Sequence, residues 1–529
     1  MEVTRVLAIE GTAWAASAAV YESSSDELFI ETDAYQPDSG GIHPREAAEH
    51  MRVAIPDVVE TALDAAAGPI DAVAFSCGPG LGPCLRIVGT AARTLAGTLG
   101  VELVGVNHMI AHLEIGRQRS GFDSPICLNA SGANAHVLGF RNGRYRVLGE
   151  TMDTGVGNAL DKFTRHVGWS HPGGPKVERA ARDGEYVELP YVVKGMDFSF
   201  SGIMSAAKDL LDEGTPVEDV SFALQENIFA MLTEVTERAL SLTGRDELVL
   251  GGGVGQNARL QAMLREMTDQ RGAEFFAPEP ELLRDNAGMI AVLGATMAEA
   301  GETIPIENSG IDSDFRPDQV VVTWRDDTVP EPRGWAAEFA GAEAVVEFED
   351  GVVRKVRQPK SYRHPELDGR LRRERTVQEA RLTRDARTLG VPTPIIRDVD
   401  LRETTIEFER VGKRDLRDAL TASRVGEVGE HLATIHGAGF VHGDPTVRNV
   451  RVCDDGPGPE TVLIDFGLGY STDDVEDHAM DLHVFEQSLN GTAPNPDELA
   501  AAAEERYAEV GEPTVIDRLR VIEGRGRYQ

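Results

Sequence analysis

Two histidines spaced four residues apart could bind one metal ion. His108 and His112 would lie on one face of a helix, so both imidazoles could reach the same cation. Asp285 precedes an apolar helical segment and could add a carboxylate, which would leave coordination positions open for a substrate. By itself, however, such a pair is more often structural. A zinc protease would have glutamate where this chain has Met109, so peptide hydrolysis fits poorly.

A second group of residues has the order found in kinases. Residues 343–348 and 352–356 predict a strand pair that carries Lys355, and Glu379 lies in an Arg-rich helical segment. Asp444, Asn449 and Asp465 belong to His-Gly-Asp-x4-Asn and Asp-Phe-Gly sequences. In this pattern the lysine meets the α- and β-phosphates of ATP and the glutamate pairs with it. Asp444 is then the catalytic-loop acid, and Asn449 and Asp465 bind Mg²⁺. The ordered set is specific for a kinase-type site, whereas a lone His-Gly-Asp sequence would indicate one only weakly.

Two features argue against an ordinary protein kinase. The predicted phosphate-covering loop, Gly341-Ala342-Glu343-Ala344, lacks the usual three glycines. No Ala-Pro-Glu sequence follows Gly467, so the usual platform for a protein substrate is missing.

The composition predicts an acidic, multidomain protein. The chain has 529 residues, which favours two to four domains, and a net charge of −36 that is spread over both halves. Such a surface suits a salt-rich cytosol, as in a halophile, and does not exclude nucleic-acid binding. The four scattered cysteines predict reduced thiols. The sequence shows no long apolar run and no leader, so we expect a cytoplasmic protein without membrane contact.

Basic residues are concentrated between Arg354 and Arg387, where 12 Lys or Arg and 5 Asp or Glu occur. A basic patch in an acidic protein suggests contact with phosphate, either of ATP or of RNA. The alternative is a solvated helix with ion pairs between residues four apart.

A polar, turn-rich segment at 311–318 divides the chain. We therefore predict a first domain at 1–317, a linker at 318–334 and a second domain at 335–529.

The first domain has the pattern of an α/β fold. A strand ending at Glu10 runs into a polar turn and a second strand, and residues 125–138 repeat this form, which suggests two related lobes with a cleft between them. The turns could offer backbone N–H groups to phosphate. The sequence from Gly251 to Asn257 has Gln256 where a dinucleotide fingerprint needs glycine, so a Rossmann fold is rejected.

Several short sequences make the first domain resemble the universal tRNA threonylcarbamoyladenosine transferase family. The matching sequences, in chain order, are Ile9-Glu10-Gly11-Thr12, Gly78-Pro79-Gly80-Leu81-Gly82, Asn107-His108 with His112, Ser131-Gly132-Ala133-Asn134, Asp161-Lys162, Pro172-Gly173-Gly174-Pro175, Asp197-Phe198-Ser199-Phe200-Ser201-Gly202, Gly252-Gly253-Val254 with Asn257, and Asp285-Asn286. The resemblance implies a duplicated actin/hexokinase/Hsp70-like two-lobed fold. It also implies transfer of threonylcarbamoyl from threonylcarbamoyl-AMP to the exocyclic amine of the adenosine next to a tRNA anticodon.

The resemblance further implies site residues. His108, His112 and Asp285 would bind a divalent metal, Fe²⁺ in the first instance and Zn²⁺ as the alternative. Asn129 stands where the family usually has a tyrosine ligand, and an amide oxygen would coordinate more weakly than a phenolate. The residues expected to bind the adenylate are Asn129, Ala130, Ser131, Gly132, Ala133, Asp161, Gly174, Glu178 and Asn257. Ala133 replaces a usual glycine, with little expected effect because the contact is through backbone.

The second domain resembles the small atypical kinase/ATPase of the KEOPS complex. The matching sequences are Gly341-Ala342-Glu343-Ala344, Lys360-x-Tyr362-Arg363-x-Pro365, Glu379-Ala380-Arg381, His442-Gly443-Asp444 and Glu476-Asp477 with Asp481-Leu482. This resemblance implies a small bilobal protein-kinase-like fold that binds ATP and Mg²⁺, and partners among tRNA and the other small KEOPS subunits. The tail Arg525-Gly526-Arg527 resembles a basic terminus linked with tRNA contact. An atypical serine/threonine protein kinase with a regulatory first domain is the alternative.

Overall fold

The first half of the protein is an α/β structure. The computed structural model describes residues 5–35, 42–141, 143–325, 343–349, 351–453 and 461–523. The strands of the first half are β1 (Arg5–Glu10), β2 (Ala15–Glu22), β3 (Glu27–Ala34), β4 (Ala72–Gly78), β5 (Glu102–Asn107), β6 (Ile126–Ala130), β7 (Ala135–Arg141), β8 (Arg144–Glu150), β9 (Val193–Lys194), β10 (Asp197–Phe198), β11 (Glu247–Gly251) and β12 (Glu274–Phe276). Its α-helices are α1 (Pro44–Ala65), α2 (Gly82–Leu99), α3 (His108–Ser120), α4 (Val156–Val167), α5 (Gly174–Ala180), α6 (Ser201–Asp212), α7 (Val217–Thr243), α8 (Ala258–Arg271), α9 (Pro280–Leu283) and α10 (Ala287–Glu299).

Two five-stranded sheets share one topology. In the order β3-β2-β1-β4-β5, the first three strands are antiparallel neighbours and the last two continue in parallel from β1. The order β8-β7-β6-β11-β12 repeats the same directions. This repetition agrees with the internal duplication that the two similar strand-turn-strand segments predict.

Helices α3 and α10 lie between the two sheets. Along β1, Leu7 and Ile9 join the core under α1 and α2, whereas Val6 and Ala8 face the core that contains α3 and α10. Successive strand residues point to opposite faces, so both faces of this sheet are covered. The central core also includes Cys127 of β6, so α3 and α10 contact both lobes.

The second half begins with a small sheet and continues mainly as helices. Its strands are β13 (Ala344–Glu349), β14 (Val352–Arg357), β15 (Ile396–Asp400), β16 (Thr405–Glu409), β17 (Arg414–Asp415), β18 (Phe440–Val441), β19 (Val450–Val452), β20 (Thr461–Leu463) and β21 (Tyr470–Ser471). Its α-helices are α11 (Pro365–Thr388), α12 (Ala422–His436), α13 (Val475–Thr492), α14 (Pro496–Val510) and α15 (Pro513–Glu523). The antiparallel sheet has the order β13-β14-β16-β15, and its first pair is the strand pair predicted around Lys355.

The two halves pack against each other along α7. This helix of 27 residues is about 40 Å long. Tyr362 of the second half is fully buried in a core of the first half, and Leu367 and Leu371 of α11 pack on Ala230 of α7. The second half is therefore fixed to the lobe that contains the second sheet.

Part of the predicted linker is described. Val320 and Val322 are buried against the first half, and Arg325 forms an ion pair of 2.9 Å with Glu114. Residues 326–334 of the linker and the tail at 525–527 lie outside the described residues, so the boundary at 317 stays a prediction. The four cysteines are unpaired, as predicted. Among the described residues, every helix is too short or too polar to cross a membrane.

Candidate functional sites

The structure brings His108, His112 and Asp285 together. Their ligand atoms all lie within 4.8 Å of one another. Oδ1 of Asp285 is 3.3 Å from Nε2 of His108 and 3.2 Å from Nε2 of His112. The two rings are perpendicular, with centroids 5.0 Å apart. Two imidazole nitrogens and a carboxylate oxygen thus converge on one point, as the i,i+4 spacing and the resemblance predict.

Two capped helix ends position this cluster. α3 begins at His108, and the side chain of Asn107 accepts hydrogen bonds from the backbone N–H groups of Met109 and Ile110. Asp285 immediately precedes Asn286, the N-cap of α10. N-caps hold the first turn of a helix in place, so each ligand is fixed by the backbone beside it. Because α3 and α10 both lie in the central core, residues far apart in the chain meet here.

Glu10 is a site residue for which the sequence predicted no role. At the end of β1, its Oε2 lies 3.2 Å from Nδ1 of His108 and accepts a hydrogen bond from Ser76, while Oε1 accepts one from Thr12 at 2.7 Å. A carboxylate on the far nitrogen of a ligating histidine fixes the tautomer and the ring orientation. The available signal was a charged residue at the end of an otherwise apolar strand.

Burial and the two carboxylates shift the pKa values of the two histidines in opposite directions. Burial alone would lower the pKa of His108, but the charges of Glu10 and Asp285 raise it to about 10. Burial lowers the pKa of His112, and its bond to Asp285 only partly offsets this effect. Burial would raise the pKa of the Asp285 carboxyl, but the charge of His108 lowers it. The cluster therefore favours one positive charge between two carboxylates.

Asn129 lies beside this cluster. It is fully buried in β6, and its Nδ2 contacts Sδ of Met109 at 3.6 Å. Its Oδ1 is buried and meets no hydrogen-bond partner among the described residues. A Cβ placed on Gly251, opposite Asn129 in the sheet, would be 3.1 Å from Cβ of His112 and 3.7 Å from this Oδ1. An unpartnered acceptor next to the histidines is available to a cation.

The predicted adenylate-binding residues gather around one end of the second sheet. The turn from Ala130 to Ala133 joins β6 to β7, and the carbonyls of Ser131 and Gly132 accept hydrogen bonds from the start of α4. A side chain at Gly132 would meet no atom within 4 Å, so the turn borders open space. The N–H of Ser131 donates to the carbonyl of Asn134, so the turn is open to a ligand at the exposed Gly132.

Asp161, Gly174, Glu178 and Asn257 are linked through α5. Oδ1 of Asp161 accepts a hydrogen bond of 2.6 Å from the N–H of Gly173, directly before the start of α5 at Gly174. One turn later, Glu178 accepts a bond of 3.1 Å from the N–H of Ala258 at the start of α8. Asn257 is the N-cap of α8. These four residues thus lie close together, around the starts of α5 and α8.

The second half contains a cavity of about 590 Å³, here called the nucleotide pocket. It is lined by the predicted residues Glu343, Ala344, Lys355, Glu379, Asp444, Asn449 and Asp465. Gly341 and Ala342 of the predicted phosphate-covering loop lie outside the described residues. Met196, Arg238, Ser241 and Leu242 of the first half also line it. The pocket is thus built from both halves, which the sequence had not indicated.

Within the pocket the kinase-type residues pair as predicted. Nζ of Lys355 lies 2.8 Å from Oε1 of Glu379 and 2.7 Å from Oδ1 of Asp465. Burial would raise the pKa of Asp465, but the charges of Lys355 and Arg357 lower it to about 2. Asp465 has a φ of 66°, a left-handed conformation that is uncommon outside glycine and often marks functional sites.

Asp444 lies deeper in the pocket. Asn449 donates a hydrogen bond of 2.9 Å to its Oδ2. Burial raises the pKa of Asp444 to about 7, against the charge of Arg238. Asp481 is a further positioning residue. The sequence indicated it only as part of a segment that matches the kinase-like family. Its carboxylate accepts hydrogen bonds from the backbone N–H groups of His442 and Gly443, which holds the loop that carries Asp444.

The side chain of Glu343 turns toward arginines. The arginine cluster comprises Glu234, Glu343, Arg238, Arg357, Arg363 and Arg375. All four arginines lie within 3.6 Å of Glu343, and Glu234 on α7 pairs with three of them. Burial would raise the pKa of Glu343, but the arginines hold it well below its usual range. This cluster joins α7 to the second half.

Several arginines of the basic stretch form ion pairs within the protein. Arg375 belongs to the arginine cluster, Arg370 pairs with Glu188 at 2.8 Å, and Arg372 pairs with Asp368 at 2.7 Å. Of these three, only Arg372 fits the alternative of ion pairs between residues four apart, because Arg370 and Arg375 pair with residues of the first half. Arg373 and Arg381 are exposed, so contact of this stretch with tRNA stays a prediction.

Comparison with known proteins identifies the family. Residues 26–292 match the family model described as TsaD, tRNA N6-adenosine threonylcarbamoyltransferase. The chain is 70% identical to a "Probable bifunctional tRNA threonylcarbamoyladenosine biosynthesis protein" of Halobacterium salinarum, over 99% of both chains. A protein of the same name from Methanospirillum hungatei is 50% identical, over 100% of both chains.

Among solved structures, full-length HypF in its phosphate- and nucleotide-bound form has a TM-score of 0.41 and 13% identity, over 56% of this chain and 55% of that one. The family assignment rests on the sequence matches alone. The chain belongs to the family of bifunctional tRNA threonylcarbamoyladenosine biosynthesis proteins, and its first half to the tRNA N6-adenosine threonylcarbamoyltransferase family.

Proposed function

We propose that the first half transfers the threonylcarbamoyl group from threonylcarbamoyl-AMP to the exocyclic amine of the adenosine next to the anticodon, in tRNAs that read codons beginning with A. The observation that carries this proposal is the convergence of His108, His112 and Asp285 in a chain of this family. The duplicated sheet topology supports an actin/hexokinase/Hsp70-like fold with the site between its lobes.

The residues of the cluster fit a divalent cation. His108, His112 and Asp285 would bind it, and the unpartnered Oδ1 of Asn129 is a candidate fourth ligand. Two histidines and a carboxylate suit Fe²⁺, with Zn²⁺ as the alternative. When bound, such an ion supplies a Lewis acid for the carbamoyl oxygen. Glu10 would hold a proton on Nδ1 of His108, so that Nε2, which faces Asp285, is the nitrogen that would give up its proton and bind the ion.

The adenylate would lie against the second lobe. Backbone N–H groups of Gly132 and Ala133 would orient its phosphate, because the N–H of Ser131 already donates to the carbonyl of Asn134. Asp161, Gly174, Glu178 and Asn257 would hold the nucleoside, since they lie around the starts of α5 and α8. AMP is a good leaving group, so positioning and charge stabilisation account for the transfer in this proposal.

In the same proposal, the second half is a small bilobal kinase-like domain that hydrolyses ATP with Mg²⁺. Lys355, held by Glu379, would contact the α- and β-phosphates, and Asn449 and Asp465 would bind Mg²⁺. Asp444, with a pKa raised by burial to about 7, would orient the attacking water. The hydrolysis would support the transfer cycle within a KEOPS complex, with tRNA and the other small subunits as partners.

The test is reconstitution with the full-length protein. It would be incubated with KEOPS partner subunits, threonylcarbamoyl-AMP and cognate tRNA, with either ATP or a non-hydrolysable analogue. Mass spectrometry of the digested tRNA should detect threonylcarbamoyladenosine, and repeated turnover should require hydrolysable ATP. His112→Ala should abolish the product. His166→Ala is the matched control, because His166 also pairs with an aspartate, at 3.0 Å, but at the surface. Unmodified adenosine with the natural chain would contradict the transfer proposal.

A further inference from the structure

Arg238 reaches the nucleotide pocket from the other half of the protein. It lies on α7, it is buried, and it lines the cavity together with Lys355, Asp444 and Asp465. Its Nη1 donates a hydrogen bond of 2.7 Å to the carbonyl of Gly195, which fixes the guanidinium near the pocket wall. A guanidinium in that position is part of the pocket's chemistry although it comes from the first half.

The partners of Arg238 define which side of the pocket it occupies. Its Nη2 contacts Oε1 of Glu234 at 2.5 Å and Oε1 of Glu343, in the predicted phosphate-covering loop, at 3.0 Å. Asp444 also acts on it electrostatically. Lys355 is held by Glu379 and Asp465 instead. Arg238 therefore contacts the phosphate-covering loop and lines the same cavity as the catalytic-loop acid.

Arg238 differs from other members of the arginine cluster in its place at the cavity. Every arginine of the cluster meets at least two carboxylates, since Glu343 contacts all four, Glu234 contacts three and Glu379 contacts Arg357. Arg238 lines the cavity, whereas Arg363 and Arg375 contact the same two glutamates without lining it. A guanidinium binds phosphate oxygens through paired N–H donors, and such charge-assisted bonds are among the stronger ones in proteins.

We propose that Arg238 binds the terminal phosphate of a nucleoside triphosphate in the nucleotide pocket, so that the first half supplies a phosphate-binding residue to the second. This inference rests on the proposed ATP hydrolysis. Arg238 lines the same cavity as Asp444, where the transferred phosphoryl group would meet its acceptor. A diphosphate ends before that point, so ATP gains from Arg238 and ADP does not.

The test compares two arginines of one cluster in the full-length protein. Affinities for ADP and for a non-hydrolysable ATP analogue, both with Mg²⁺, would be measured by calorimetry for Arg238→Met and Arg375→Met. We expect Arg238→Met to weaken binding of the ATP analogue about tenfold to hundredfold and binding of ADP less than about twofold. Arg375→Met, the matched control, loses the same two carboxylate contacts and should keep the ratio of the two affinities.

Arg238→Lys is the second variant, in case the methionine variant does not fold. It keeps a charge for Glu234 but loses the planar fork, and it should still bind the ATP analogue several-fold more weakly. Equal losses for both nucleotides in the Arg238 variants, or the same change in Arg375→Met, would show a structural role and overturn the inference. If the natural chain did not bind ATP, the proposed hydrolysis would fail as well. The two failures are therefore distinguishable, because the first leaves ATP binding by the natural chain intact.

Discussion

The metal cluster and the nucleotide pocket differ in where their residues come from. His108, His112 and Asp285 all belong to the first half, and α3 and α10 bring them together inside its central core. The pocket takes its kinase-type residues from the second half and one wall, including Arg238, from α7 of the first. The first site is thus complete within one half, whereas the second depends on the contact between the halves.

The two sites also differ in which charged side chains they bring together. At the metal cluster, Glu10 and Asp285 face two imidazoles, and the carboxylates favour a cation between them. At the contact between the halves, Glu343 faces four arginines. Glu234, Glu379 and Asp368 pair with the same arginines, so this place gathers buried charges of both signs. The difference leads to four predictions.

The largest effect is expected at the metal cluster. Asp285→Ala removes the carboxylate that both histidines share, so bound metal and threonylcarbamoyl transfer should fall by about a hundredfold or more. ATP hydrolysis should stay within about twofold, because the pocket takes no wall from this cluster. Metal analysis and tRNA modification measure the effect, and Asp64→Ala, at an exposed position on α1, is the control. Joint loss of both activities would contradict separate sites.

Asp465→Asn should have the opposite effect, a loss of ATP hydrolysis with the metal cluster intact. The variant loses a proposed magnesium ligand and a partner of Lys355, so ATP hydrolysis should fall by about a hundredfold. Phosphate release measures this loss, while metal content and binding of threonylcarbamoyl-AMP should not change. Asp473→Asn, at an exposed position nearby, should behave as the natural chain. Loss of adenylate binding in Asp465→Asn would mean that the two sites are not independent.

Glu234→Gln tests the contact between the halves. Three arginines lose a buried carboxylate, which should lower the free energy of unfolding by about 3–5 kcal/mol. Denaturant unfolding of the full chain measures this change. Glu188→Gln breaks an exposed pair with Arg370 at the same contact and should cost less than about 1 kcal/mol. Similar costs for the two variants would show that the arginine cluster contributes little stability.

A smaller, pH-dependent effect is expected at Asp197, also at the contact. Burial, and then the charge of Glu150, raise the pKa of its carboxyl to about 8, whereas an unfolded chain ionises near 4. The stability from this group is therefore present below about pH 4 and is lost as the pH rises to about 8. The slope is at most about 1.4 kcal/mol per pH unit.

Asp197→Asn keeps an acceptor for the N–H of Glu150 and removes the titration, so it should flatten this dependence. Denaturant unfolding at pH 5 and pH 8 measures the difference. Asp209→Asn, at an exposed position, is the control and should leave the pH dependence as it is. An unchanged pH dependence in Asp197→Asn would show that the carboxyl is ionised in the folded protein.

Local patterns in the sequence predicted part of both sites. The i,i+4 spacing of His108 and His112 is a property of one helix, and the strand pair around Lys355 follows from adjacent segments. Asp285, which is distant in the chain, was proposed from its place before an apolar helical segment, and the family resemblance supported it.

Only the tertiary structure decided which distant side chains complete the two sites. Glu10 meets His108 across 98 positions of sequence, and Arg238 meets Glu343 across 105. Neither pair has a spacing that a helix or a strand would reveal. Both contacts arise because whole elements pack: β1 against α3 in one case, α7 against the second half in the other. The sequence by itself therefore determined the types of chemistry, and packing determined that the nucleotide pocket belongs to both halves.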